Sequence, residues 1–153
     1  MHRSLKTVFL AAALSLGGVV ANPAHAIAAS YSPEGVCGSG FSVVKHDGKR
    51  AVKTPSGTVF GYIYLLYNAR TGQNCVTTIK TQYVGTKTIT SAQLEVQGGG
   101  KKSDIRSYKY YAGPVKLYGK GKCVKYYGTV ADTRAQGEIA QGGRSSWGNC
   151  GKG

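Results

Sequence analysis

Four cysteines constrain the fold of this chain more than any other feature: Cys37, Cys75, Cys123 and Cys150. All of them follow an apolar N-terminal segment, and an even number of cysteines in an exported chain predicts a disulfide framework. Four cysteines allow three pairings. The pairing of sequence neighbours, Cys37–Cys75 with Cys123–Cys150, is favoured, and the other two stay open. No zinc site is expected, because structural zinc ligands normally come in closely spaced pairs such as C-x-x-C.

The first 26 residues have the order of a secretory signal peptide. A positive stretch around Lys6 precedes an uncharged, mostly apolar run from Val8 to Ala21, and the small residues of Ala24-His25-Ala26 follow. This order predicts cleavage after residue 26, with Ala28 or Ala29 as alternatives. The apolar run is shorter than the roughly 20 residues that span a bilayer. No later segment is long or apolar enough to span one.

Cleavage would leave residues 27–153 as a single secreted domain with a strongly positive charge. It would retain 18 basic residues against 6 acidic ones, a net charge of +12. A domain this basic is attracted to anionic surfaces. The partners that this charge suggests are anionic cell-wall polymers or spore-coat components, with nucleic acid bound only non-specifically. The equal alternative is that the charge serves solubility alone.

The residues after Cys37 have the composition and spacing of β-strands. The segment Thr58–Asn68 is rich in Val, Ile, Tyr and Phe and apolar on both faces, which predicts a central strand. Thr88–Gln97 alternates between apolar and polar residues, as a half-buried strand does. Seven or eight strands at spacings of about 8–12 residues predict an all-β fold, an antiparallel sandwich or a small barrel with two disulfides.

Other segments give weaker expectations. Residues 27–36 are predicted to be a loose segment, and Gly98–Ser103 a flexible loop. Tyr108–Tyr111 is expected to form a strand. The Gly- and Ser-rich tail is predicted to hold one short strand ending at Cys150, with Trp147 plugging the sheet.

The sequence offers little for catalysis. A serine or thiol nucleophile needs a neighbouring base, and His46, beside the predicted Asp47-Gly48 turn, is the single histidine after residue 26. The six acidic residues are scattered without a local motif, and the glycines before Lys101 lack the spacing of a phosphate-binding loop. We therefore predict no catalytic residue, no cofactor and no metal site.

Lysines and tyrosines interleave in the second half of the chain. Aromatic rings beside cations stack on sugars or bases while the cations hold phosphates. The structural explanation, that tyrosine favours strands and lysine protects edge strands, is favoured over this functional one. The candidate polymer contacts are Lys101, Lys102, Lys109, Lys116, Lys125, Tyr110 and Tyr127.

Several segments are typical of one family. They are Val36–Val44, Gly57–Val59, Tyr64–Asn68, Thr71–Thr77, Tyr110–Val115, Cys123–Lys125 and Cys150. Through them the chain resembles the spore-associated protein A family of filamentous actinomycetes. One departure is Tyr126-Tyr127, where that family is expected to carry tryptophan and glycine. The resemblance implies a secreted protein found with the spore coat or aerial hyphae, without enzymatic activity.

The leading functional prediction is thus a non-enzymatic extracellular protein at the spore or cell surface, binding anionic wall polymers. One alternative is a protease-inhibitor-like or toxin-like β domain that presents the Gly98–Ser103 loop to its target. A second alternative is an extracellular hydrolase, such as a nuclease drawn to polyanions, against which the lone His46 argues.

Overall fold

A computed structural model describes residues 30–134 and 137–151. The predicted signal peptide, residues 1–26, lies outside the described residues, so its cleavage stays a prediction. The elements are one short helix and nine strands: α1 (Pro33–Cys37), β1 (Ser42–Val43), β2 (Lys49–Lys53), β3 (Val59–Asn68), β4 (Gln73–Lys80), β5 (Thr88–Val96), β6 (Gly100–Tyr108), β7 (Tyr111–Tyr118), β8 (Val124–Ala131) and β9 (Ile139–Gly148).

The strands form a single antiparallel sheet that curls into a nearly closed barrel. Its strand order is β6-β5-β8-β9-β2-β3-β4-β7, and β1 adds to β3 outside this path. The two end strands, β6 and β7, contact each other, although no backbone ladder joins them within the described ranges. The structure confirms the predicted all-β antiparallel fold, and of the two predicted architectures it is the small barrel that forms.

The core follows from the alternation of side chains along each strand. Ala92, Leu94 and Val96 of β5 are at most 2% exposed, so the predicted inward face of this strand is confirmed. Ile63 and Leu65 of β3 are completely buried beside them in the same cluster. Burying one such side chain stabilises the fold by about 1.5–3 kcal/mol. The barrel interior is therefore filled by side chains.

The helix α1 covers a second, smaller apolar cluster on the outside of the barrel. The Ser32 hydroxyl caps the helix by accepting a hydrogen bond from the Gly35 N–H at 2.9 Å. Cys37, Phe41, Leu66 and Cys75 form the buried cluster beneath it. The prediction of a loose segment was wrong here, because a short capped helix is anchored by the disulfide at its end. Among the described residues, no helix has the length and hydrophobicity needed to cross a bilayer.

Both favoured disulfides are confirmed, but they differ in exposure. Cys37–Cys75 and Cys123–Cys150 close loops with sequence separations of 38 and 27. Loops of this size are expected to stabilise the fold by about 3–4 kcal/mol each in the chain-entropy model. Cys37 and Cys75 are fully buried, whereas Cys123 is half-buried and Cys150 is exposed.

The predicted loop at Gly98–Ser103 was wrong for most of its length. A tight turn occupies residues 97–99, and β6 begins at Gly100. From there β6 pairs with β5 residue by residue, as far as the pair of Tyr108 with Thr88. Nearly all of β6 is exposed, so it lacks the apolar alternation that identifies a half-buried strand.

Two further strand boundaries differ from the prediction. Tyr108–Tyr111 is not one strand, since β6 ends and β7 begins there around a bend at residues 109–110. In the tail, β9 is ten residues long and Trp147 is half-buried instead of plugging the sheet. Gly143 lets β9 pack closely on β8: its φ is +135°, and a Cβ there would lie 2.2 Å from the Tyr126 carbonyl oxygen.

Candidate functional site

An open groove of about 330 Å³ runs over the outer face of β5, β6 and β8. We call it the β8 groove. Its lining residues are Gln93, Leu94, Glu95, Lys101, Lys125, Tyr126, Tyr127, Arg144 and Ser145. Three of the seven predicted polymer contacts, Lys101, Lys125 and Tyr127, are therefore brought together at one site.

The strand register explains why these side chains meet. Glu95 of β5 is paired with Lys101 on one side and with Lys125 on the other. One pair further along, Gln93 lies opposite Tyr127. Side chains that are paired across neighbouring strands share a face of the sheet, so this row forms one continuous surface.

The Lys125 ammonium is the best-defined cation of the groove. Its Nζ lies 3.9 Å from a Glu95 carboxylate oxygen and 4.1 Å from the centre of the Trp147 ring. An exposed ion pair of this kind is worth only about 0–1 kcal/mol. A cation over a tryptophan ring is worth from about 0.5–1 kcal/mol at exposed sites to about 2 kcal/mol when it is desolvated. Glu95 faces two lysines, Lys101 and Lys125, so one positive charge of this row stays uncompensated.

Arg144 is a fixed wall of the groove. Its Nη1 lies 2.7 Å from one Asp47 carboxylate oxygen, and the other oxygen accepts from Arg50 Nε at 2.5 Å. The Tyr126 hydroxyl donates to the Asp47 carbonyl. Partial burial opposes ionisation, but hydrogen bonds from both arginines hold the pKa of Asp47 below its usual value. The single negative charge of Asp47 is thus shared by two guanidinium groups, so this cluster of three side chains carries one excess positive charge.

Burial and the nearby Asp47 charge raise the pKa of Tyr126 to about 12. Tyr126 is therefore a neutral phenol at physiological pH, and it serves as a structural donor under the groove.

Tyr127, on the outer face, donates its hydroxyl to the Gln141 side chain and is 36% exposed. The groove presents an exposed tyrosine ring and a net excess of positive charge, and the half-buried Trp147 ring lies beside it, next to Lys125. This combination suits contact with an anionic polymer.

The four other predicted contacts lie elsewhere. Lys102 is paired with the inward-facing Leu94, so it points to the opposite face of β6 from Lys101. Lys109 and Tyr110 lie at the bend between β6 and β7. The Lys116 ammonium lies 4.8 Å from the centre of the Phe41 ring, beside α1. The seven predicted residues do not form one surface.

Tyr110 belongs to a separate aromatic cluster. The Tyr31 ring lies 5.2 Å from the Tyr110 ring and 4.8 Å from the Tyr111 ring, measured between ring centres. These rings pack on one another in tilted arrangements, which is a stabilising geometry for aromatic pairs. Their contacts favour the structural explanation for this part of the tyrosine-rich sequence.

His46 is exposed, at the turn between β1 and β2. Within residues 30–134 and 137–151, no group of three or more His, Cys, Asp or Glu side chains could hold a metal ion.

Sequence reasoning missed Arg144, which lines the groove, and Trp147, whose ring lies beside Lys125. Both lie in the Gly- and Ser-rich part of β9, where the register against β8 shifts between Val124 and Tyr126. No local signal in the sequence places them beside Lys125, because their position depends on that irregular pairing with a distant strand.

Comparison with known proteins gives one curated relative. The chain is 35% identical over 133 residues to spore-associated protein A of Streptomyces coelicolor, a match that covers 84% of this chain and 80% of the relative. No family model matches the chain, and no solved structure matches it.

Proposed function

The chain belongs to the spore-associated protein A family, and we propose that it is a non-enzymatic secreted protein held at the spore or cell surface by anionic polymers. The name of the relative supports the location, because it describes that protein as spore-associated. The name does not mention a ligand, so the polymer-binding part of the proposal depends on the geometry of this chain.

The β8 groove is the observation that carries the proposal. Its lining includes the cations Lys101, Lys125 and Arg144 and the Tyr127 ring, and the Trp147 ring lies beside Lys125. Glu95 and Asp47 are the acidic partners of these cations. Lysine ammonium groups attract phosphate or carboxylate groups of a polymer, and aromatic rings contact the apolar faces of its sugars. An open groove of this kind accommodates a chain that passes across it.

Secretion is part of the same proposal. The order of residues 1–26 is that of a signal peptide. All four cysteines of the chain form disulfides, and such bonds persist in oxidising surroundings outside the cytoplasm. These two features support an extracellular location independently of the relative's name.

The test is binding of purified residues 27–153 to spores and isolated cell walls across a salt series. The groove variant is the double substitution Lys101→Gln/Lys125→Gln. The matched control is Lys53→Gln/Lys87→Gln, which removes the same charge from exposed lysines that do not line the groove. We expect the groove variant to bind about tenfold more weakly, a loss of about 1.4 kcal/mol, and the control to bind much as the wild type does.

Salt should weaken binding of the wild-type domain, because exposed charges are screened within about 10 Å at 0.1 M salt. Retention in strong salt would remove the electrostatic basis of the proposal. Equal losses in the two variants would assign binding to the total charge instead of the β8 groove.

No observation on the described residues favours either of the two alternative functions. The inhibitor alternative relied on a loop at Gly98–Ser103, and residues 100–103 of that segment belong to β6. The lone His46 already argued against the hydrolase alternative, and this residue makes no side-chain hydrogen bond to the described residues and lies outside the β8 groove.

A further inference from the structure

A second depression, of about 300 Å³, lies beside the segments that follow β7 and β9. Its lining includes Tyr67 of β3, Asn74 of β4, Lys120 from the segment after β7, and Asn149 beside the Cys123–Cys150 disulfide. None of these residues lines the β8 groove. We call this depression the Asn74–Asn149 pocket.

The two asparagine amides of this pocket have unused hydrogen-bonding capacity. The Asn149 Nδ2 is buried and has no hydrogen-bond partner. Buried polar groups in folded proteins nearly always have a partner, whether from the protein, from water or from a ligand. The Asn149 amide lacks one, so the pocket that this residue lines has a place for an occupant. Asn74 is only 5% exposed; its side-chain amide makes no hydrogen bond to the residues of the described ranges and is not fully shielded from solvent, so it can bond to the same occupant.

The backbone around the amides leaves room for that occupant. A Cβ at Gly119 would lie 2.4 Å from the Asn74 Nδ2, so a side chain at this position would displace the amide. Asn149 has a φ of +52°, a conformation that asparagine tolerates better than most residues. The neighbouring Cys150 is tied to Cys123, which fixes this part of the chain. The amides are thus held in place by the fold itself.

The chemistry of the pocket favours a sugar over a simple anion. Each amide offers both donors and an acceptor, which matches the adjacent hydroxyl groups at the edge of a sugar ring. Tyr67 provides an aromatic surface for an apolar sugar face. Lys120, which is exposed, is the single cationic side chain in the lining. The volume of about 300 Å³ is at the lower end of the range of ligand pockets, about 300–1,000 Å³.

We propose that the Asn74–Asn149 pocket binds one pyranose ring of a glycan. A neighbouring depression of about 470 Å³ shares Val44, Tyr67 and Ala69 with the pocket. This depression extends past Tyr67 toward His46, so the next unit of the same glycan has space beside the first.

The test uses nitrogen-15 NMR of residues 27–153, because the side-chain NH₂ signals of Asn74 and Asn149 report directly on the pocket. The probes are methyl N-acetyl-β-glucosaminide, methyl β-glucoside and glycerol phosphate, each added to about 50 mM, well above a millimolar Kd. We expect at least one of the two sugars to shift both side-chain signals in a saturable way.

Two variants at one position separate binding from folding. Asn149→Gly removes the amide, and glycine accepts the positive φ; Asn149→Asp keeps the shape of the side chain but removes its donor. We expect sugar binding to weaken about tenfold or more in both variants, while the backbone spectrum outside the pocket is unchanged. The groove variant Lys101→Gln/Lys125→Gln should bind the sugar as the wild type does, which separates this inference from the proposed function.

Three results would overturn the assignment. Unshifted amide signals with both sugars would mean that water alone satisfies the amides. A shift with glycerol phosphate alone would make the pocket an anion site. Wild-type affinity in both Asn149 variants, or in whichever of them folds, would show that the sugar binds elsewhere.

Discussion

The Lys125 ammonium lies 4.1 Å from the centre of the Trp147 ring, and Trp147 is the single tryptophan of the sequence. Tryptophan emission responds to nearby charge and to solvent access. Because Lys125 lines the β8 groove, the emission of the intact protein is a direct probe of that groove.

We predict that a phosphate-bearing polymer changes the Trp147 emission, because the polymer competes with the ring for the Lys125 ammonium. The midpoint of a fluorescence titration should move to higher polymer concentration as salt is added. Lys125→Gln should lose most of the response, and Lys53→Gln should keep it. An unaltered titration in Lys125→Gln would place polymer binding away from this groove.

Lys80 is predicted to make stability depend on pH. Its Nζ donates to the Thr86 carbonyl at 2.8 Å, the Thr88 hydroxyl at 2.8 Å and the Tyr108 carbonyl at 3.1 Å, and the residue is 4% exposed. Burial lowers the pKa of Lys80 from 10.5 to about 8. Between these two values the unfolded chain binds more protons than the folded one, so this group makes the free energy of unfolding rise with pH.

The measurement is denaturant unfolding of the wild type and Lys80→Met at pH 7.5, 8.5 and 9.5. The wild type should gain stability relative to the variant as pH rises, by at most about 1.4 kcal/mol per pH unit. Lys87→Met, which removes an exposed lysine, should run parallel to the wild type. A constant difference between wild type and Lys80→Met would show that the Lys80 pKa is the same in both states.

Reduction of the two disulfides is predicted to follow their exposure. Thiol–disulfide exchange requires access of the attacking thiolate to a sulfur atom. Cys37 and Cys75 are 0% exposed, whereas Cys150 is exposed. Limited reductant under native conditions, followed by alkylation and peptide mass analysis, should label Cys123 and Cys150 first. Earlier labelling of Cys37 and Cys75 would contradict this order.

Asp104 is predicted to stabilise the contact between β6 and β7. Its carboxylate accepts from the Tyr108 hydroxyl at 2.7 Å and from the Gly113 N–H at 2.8 Å. Asp104→Ala leaves the Gly113 N–H unpaired where no ladder replaces it, so the free energy of unfolding should fall by about 1–3 kcal/mol. Urea denaturation measures this loss, and Asp104→Asn, which retains one acceptor oxygen, should lose less.

The substitution Asp104→Ala is also expected to change the pKa of Tyr108. The hydrogen bond to Asp104, aided by burial, raises the pKa of Tyr108, because a phenolate beside a carboxylate is unfavourable. In Asp104→Ala that pKa should move toward its ordinary value, and ultraviolet absorbance of tyrosinate would detect the change. Unchanged stability together with an unchanged titration would mean that Asp104 plays no part in joining the strands.

The parts of the fold that the sequence predicted are those that leave a local pattern. Strand β3, Val59–Asn68, lies within the predicted range Thr58–Asn68, and β5 follows its predicted alternation because one face is buried. β6 could not be recognised, because it is exposed along nearly its whole length. The length of β9 was underestimated. Glycines usually indicate a loop, but those of β9 let the strand pack closely against neighbouring backbone.

The sequence predicted which types of residue form the candidate site, but not which individual residues belong to it. Lys101, Lys125 and Tyr127 meet through strand pairing with β5, and a single chain sequence does not give that register. Lys102 differs from Lys101 by one position and therefore faces the other way. No local pattern pointed to Asn74 and Asn149, since these residues are distant in sequence and line one pocket only in the folded protein.

The two disulfides do not cross along the chain: residues 37–75 form one covalent ring, residues 123–150 form another, and a linear stretch joins them. A protease that nicks the connection between β8 and β9 would therefore leave β9 covalently attached, as would a nick between Cys37 and Cys75. A cut between Cys75 and Cys123 divides the molecule in two. Where hydrolytic enzymes surround the protein, a chain joined in this way survives nicking at either end of the domain without losing its pieces.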